Sequence, residues 1–160
     1  MMNTLYDKEV RLDLPDAAKS EQFAVQLGNC LKPGLTLCFS GEIGAGKTTI
    51  IRAMLKSLGV ESTIKSPTFS LVESYLCTLA PVHHFDLYRI EQEDELEYLG
   101  FRDYFSTETI CCIEWPEHAG KALPMVDIRF KLTSKGAGRE MHMCALSAAG
   151  ERILACLAGE

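Results

Sequence analysis

Three glycines, a lysine and two threonines sit at a spacing that suits phosphate chemistry. The stretch Ser40-Gly41-Glu42-Ile43-Gly44-Ala45-Gly46-Lys47-Thr48-Thr49 has the pattern GxxxxGK(S/T), between the apolar run Leu35 to Phe39 and an amphipathic run ending at Gly59. Glycines let the backbone curl with its N–H groups turned inward, where an anion can accept them without a Cβ in the way. Lys47 would reach the outer phosphates as a point charge, and Thr48 would offer its hydroxyl to a magnesium ion. The positive end of the following helix would add to the field. Gly41, Glu42, Ile43, Gly44, Ala45, Gly46, Lys47, Thr48 and Thr49 are the candidate binding residues. The bland alternative is a glycine-rich turn without a ligand. Strand-like residues before and a helical pattern after favour the triphosphate site.

Other residues could complete such a site. Ile64-Lys65-Ser66-Pro67-Thr68-Phe69-Ser70 is a polar stretch stiffened by Pro67, placed where a nucleotide hydrolase can keep a switch, and Thr68 is its candidate phosphate sensor. The same residue types also make ordinary turns. Asp86, on a strand with His84 and Tyr88 at its parity, is a carboxylate expected to be buried. It therefore needs a cation, either a metal or Arg89. Glu114 directly follows the apolar strand Thr109 to Ile113, the position from which an acid holds magnesium or its water opposite a phosphate loop. Glu117 could orient water or open the segment after Pro116. Trp115, the sole tryptophan, could pack by the nucleotide or anchor the edge of the core.

The elements that position these residues alternate between helix and strand. Leu5 to Leu12 suggests an edge strand. Pro15 suggests the first turn of a helix capped by Asp13, with Ala17, Phe23, Ala24, Leu27 and Leu31 on its apolar side. Leu35 to Phe39 reads as a strand buried on both faces, and Ile50 or Ile51, Met54 and Leu58 as the core stripe of the next helix. Leu71 to Cys77 and His83 to Tyr88 form an antiparallel pair, because the turn at Pro81 is too short for a crossover. A short helix follows from Glu91 to Gly100. Pro124 to Leu132 and Arg139 to Leu146 read as a hairpin, and Ser147 caps a final helix. The expected fold class is α/β, a mixed sheet with a parallel core flanked by antiparallel strands and packed by helices, in one domain over residues 1–160.

Composition narrows the setting. With 47% hydrophobic and 24% charged residues, the chain is ordinary globular material. A net charge of −6, from 22 acidic and 16 basic residues, argues against a broad nonspecific nucleic-acid footprint. The seven cysteines form no CxxC pair and sit mostly in apolar runs, which reads as buried thiols in a reducing compartment. The four histidines match no zinc signature. No basic-then-apolar leader and no apolar run near the roughly 18 residues of a membrane helix is present, so a cytoplasmic protein without membrane contact is expected.

Together, the glycine loop, Ser66-Pro67-Thr68-Phe69, His84-Phe85-Asp86-Leu87-Tyr88-Arg89 and Ile113-Glu114-Trp115-Pro116-Glu117 resemble the TsaE family. These are small bacterial P-loop ATPases required for threonylcarbamoyladenosine modification of tRNA. The resemblance runs from about the first helix to the last strand. It implies a P-loop NTPase fold, with ATP and Mg2+ as cofactors. Gly41 to Thr48 would bind the phosphates, Thr48 the metal, and Thr68 would be the switch threonine. Asp86 would be the acid of an HxDxYR motif, and Glu114 and Trp115 the strand-end acid and aromatic. It also implies TsaB and TsaD proteins as partners, with ATP turnover supporting repeated modification; whether tRNA touches this chain or only those partners stays open. Ser70 and Ser74 stand where Thr and Glu are expected, so partner or switch details could differ.

The expected chemistry is Mg-dependent attack of water on the terminal phosphate of ATP. Lys47, Thr68, Asp86 and Glu114 carry the catalysis, and Thr48 and Glu114 the metal. Two other readings stay open. One is a small-molecule kinase, against which stands the lack of an arginine-rich lid segment. The other is a nucleotide-gated interaction module, in which binding matters more than turnover.

Overall fold

The computed structural model describes residues 8–67 and 70–160. At its centre lies β2 (Leu35–Ser40), whose residues from Leu35 to Phe39 are all buried, as a strand covered on both faces requires. It runs parallel to β5 (Ile110–Glu114) on one side and β6 (Ile128–Lys135) on the other, and β4 (Pro81–Asp86) continues the parallel set beyond β5. Antiparallel strands finish both edges. β7 (Gly138–Ala145) pairs with β6 and β1 (Lys8–Leu14) with β7, while β3 (Val72–Leu76) pairs with β4. Among the described residues the sheet order is β1-β7-β6-β2-β5-β4-β3. The expected parallel core between antiparallel flanks is present.

Strand alternation splits the core into two layers. Leu37 and Phe39 of β2 face α1 (Ala17–Asn29), α2 (Lys47–Ser57) and α4 (Ala148–Leu157), and pack with Phe23, Ile51 and Ile153. Cys38, Cys111 and Ile113 point to the opposite face, joining Phe85, Phe101 and Leu96 of α3 (Asp94–Tyr98). Asp127, just before β6, ties β2 to the start of α4. Its carboxylate accepts from Thr36 N at 2.9 Å and from the Ser147 hydroxyl at 2.6 Å, while Ser147 itself caps α4 through Gly150 N.

Several local expectations need correction. Asp16 caps α1, accepting from Lys19 N at 2.8 Å, so Pro15 precedes the cap instead of sitting in the first turn. Asp13 is too far back to reach those amides. It lies in β1 and meets Lys135 Nζ at 2.8 Å. β4 already begins at Pro81, where a strand can take a proline, and ends at Asp86 because Tyr88 N turns back onto the Asp86 carboxylate.

The cysteine reading is also revised. Cys30 and Cys156 form a disulfide, although 126 residues separate them. Packing of α1 against α4 brings their Cα atoms to 5.8 Å, a proximity no sequence spacing announces. Cys38, Cys111 and Cys112 are buried free thiols, as expected, with Cys38 and Cys111 each pushed up to about 12, mainly by burial. Among the described residues, no helix is long and apolar enough to cross a membrane.

Candidate functional site

The parallel strands deliver the site. Val82 of β4 and Cys112 of β5 face the α2 layer, so residues an even number of positions along, His84, Asp86 and Glu114, face it as well. Asp86 stands in register with Glu114 where both strands end, beside the loop that leaves β2. Open α/β sheets gather ligands at this carboxyl end.

The loop needs its glycines for two different reasons. Gly46 adopts φ 101° as it enters α2, a left-handed conformation that side chains disfavour. At Gly41 a Cβ would fall 2.6 Å from the Leu132 carbonyl, so the chain passes too close to β6 for any other residue. Ile43 projects from the tip, 70% exposed, with Glu42 and Gly44 also exposed, whereas Ala45 is buried.

Lys47 opens α2 and is only 4% exposed. Its ammonium donates to the Gly41 carbonyl and lies 3.9 Å from the centroid of the Trp115 ring. Burial pushes its pKa below the ordinary lysine value, and the nearby Glu114, Asp86 and Glu117 carboxylates partly oppose that shift. Thr48, one residue on, places its hydroxyl 3.0 Å from both Glu114 oxygens. Glu114, 2% exposed, also accepts from His84 Nε2 at 2.6 Å. Trp115 follows with φ 58°, a strained value for a bulky residue. Tyr88 at 5.0 Å and His118 at 5.5 Å flank its ring, and His118 Nδ1 is anchored on the Leu87 carbonyl.

Lys47, Thr48, Asp86, Glu114 and Trp115 thus line one cleft of about 340 Å³, together with Ile43, Gly44, Gly46, Thr49 and Tyr88. Gly44, Gly46 and Thr49 also border a cleft of about 330 Å³ towards α1, walled by Leu14, Asp16 and Arg139. The two clefts share these loop residues. Thr48 and Glu114 are the residues that could hold a cation, and their hard oxygens fit magnesium. Among the described residues, no group of three His, Cys, Asp or Glu forms a metal cage. An ion here would draw its remaining ligands from water and phosphate, as magnesium commonly does.

Thr68, the expected phosphate sensor, lies outside the described residues. Glu117 is exposed and borders a separate cleft of about 600 Å³ beyond Trp115, with Arg129 and Lys131. Two contacts escaped the sequence reading. Arg139 of β7 donates from Nε to the Ala45 carbonyl at 2.9 Å and from its terminal nitrogen to the Gly44 carbonyl at 3.0 Å, clamping the loop from 94 or 95 positions away. Nothing in a weakly alternating hairpin strand signals this. For the His84 pairing with Glu114, the available signal was its shared strand parity with Asp86.

Known proteins agree with this architecture. The crystal structure of Bacillus subtilus YdiB superposes with a TM-score of 0.80 over 96% of each chain at 24% identity, which speaks for the fold. The TsaE protein of Haemophilus influenzae is 36% identical over 88% of this chain and 92% of its own length. That of Bacillus subtilis is 36% identical over 76% of this chain and 74% of its own. Residues 14–141 match the family model described as threonylcarbamoyl adenosine biosynthesis protein TsaE. On that match, and with the P-loop fold and its cleft in place, the chain belongs to the TsaE family of tRNA threonylcarbamoyladenosine biosynthesis.

Proposed function

We propose that this chain is a Mg-dependent ATP hydrolase whose turnover supports threonylcarbamoyladenosine formation on tRNA by TsaB and TsaD proteins. The observation that carries the reading is the approach of Thr48 to Glu114 at 3.0 Å beside Lys47 and Asp86 in one cleft. The loop amides and Lys47 bind the phosphates, with the ammonium exchanging its contact on the Gly41 carbonyl for the ligand. Thr48 and Glu114 hold magnesium directly or through water, and Thr68 senses the terminal phosphate. A bound magnesium ion supplies positive charge against the phosphate oxygens during transfer. Asp86 and Glu114, in register where β4 and β5 end and lining the same cleft, are the two acids placed to orient the attacking water. Trp115 covers the phosphate end. The whole chain acts as one P-loop domain in the cytoplasm.

Steady-state phosphate release from Mg-ATP, alone and with TsaB and TsaD, tests the proposal. Release that rises with the partners and falls about 100-fold in Lys47→Ala is expected, the scale of losing a preorganised charge in the transition state. Phosphate transfer to an added metabolite, with no free phosphate, would replace the hydrolase reading with a kinase.

A further inference from the structure

We propose that His84 is a positioning residue for the cation site, fixing the carboxylate of Glu114 through its Nε2 hydrogen. The inference rests on the reading above that Glu114 holds the cation. His84 is 1% exposed and Glu114 2%, and the 2.6 Å contact between them is one of three hydrogen-bonding approaches to that carboxylate, the other two coming from Thr48. A glutamate side chain has several rotamers, and at the end of a strand it could swing towards solvent. The buried His84 ring on β4 removes that freedom on one side, while Thr48 fixes the other.

The second nitrogen supports the same assignment. Nδ1 of His84 is buried and has no hydrogen-bond partner among the described residues. With its hydrogen on Nε2 the ring donates to Glu114, and Nδ1 then carries only a lone pair. Donors that orient a ligating group in this way typically raise metal affinity 10–100-fold.

Manganese binding to the full chain with a non-hydrolysable imido analogue of ATP, read by electron paramagnetic resonance, decides the matter. Metal-free nucleotide affinity is measured in parallel by Trp115 fluorescence. In His84→Leu, manganese affinity should fall about tenfold with metal-free nucleotide affinity unchanged, and His84→Gln, which still offers an N–H, should recover most of it. Unchanged manganese affinity in His84→Leu, while Glu114→Gln loses it, overturns the proposal and leaves the cation site standing. Equal losses with and without metal also overturn it, since they mark a structural role. If Glu114→Gln itself keeps full manganese affinity, the cation reading fails and the role of His84 falls with it. Should His84→Leu not fold, the same comparison is made with His84→Gln and His84→Asn: equal affinity in both overturns the proposal, and graded loss supports it.

Discussion

The hydroxyl of Thr48 stands 3.0 Å from both carboxylate oxygens of Glu114, joining the first turn of α2 to the last residue of β5 across 66 positions of sequence. Thr48→Val keeps the shape of the side chain and deletes the hydroxyl. The magnesium concentration for half-maximal phosphate release should rise about tenfold in Thr48→Val and stay near normal in Thr48→Ser. An unchanged magnesium requirement in the valine variant would remove this pair from the cation site.

Trp115 offers a built-in reporter. It is the sole tryptophan, and the Lys47 ammonium lies 3.9 Å from its ring. A triphosphate that draws Lys47 away must change the field on the indole. ATP should therefore shift the emission saturably, and Lys47→Ala should abolish the shift. A normal titration in that variant would place the phosphates elsewhere.

Arg139 should matter for ATP binding as well as for folding. Its guanidinium holds the Gly44 and Ala45 carbonyls, and each such charged hydrogen bond contributes about 1.5–3 kcal/mol. Arg139→Ala is expected to weaken ATP binding about tenfold, close to 1.4 kcal/mol, as the loop loses its clamp. Lys should restore part of this, since it reaches one carbonyl but not two. Isothermal calorimetry, with thermal melts as control, checks both.

His83 links the β3–β4 hairpin to pH. Its Nδ1 meets the Ser74 hydroxyl at 2.7 Å and its ring lies edge-on to Tyr104, while burial lowers its pKa below the ordinary 6.5. The unfolded chain then binds this proton more readily than the folded one, so stability is lost as pH falls below about 6.5. Melting temperatures at pH 7 and pH 5 should differ less in His83→Gln than in the parent protein. Identical differences would contradict the assignment.

Much of the fold was legible because its signals are local. The Leu35 to Phe39 run, the glycine spacing and the short turn near Pro81 each carry their meaning within a few residues, whereas the hairpin turn expected over 133–138 narrows to Gly136 and Ala137, because Thr133 to Lys135 and Gly138 pair as strand. Asp86 and Glu114 could be picked out because a carboxylate at the end of an apolar strand is costly without a partner. The remaining features arise only when distant segments meet. The Cys30–Cys156 bond needs α1 beside α4, and Arg139 reaches the loop only because β7 crosses beside β6. Asp16 displaced Asp13 as the cap because one turn of helix decides which carboxylate reaches the amides. Thr68 lies outside the described residues, so its placement adds nothing either way.

The most direct measurement counts modified tRNA molecules formed per TsaB–TsaD complex in a reconstituted reaction containing this chain and Mg-ATP. The proposed function predicts many rounds with the parent protein and about one with Lys47→Ala. Equal numbers of rounds with both proteins would contradict the claim that ATP hydrolysis here drives repeated modification.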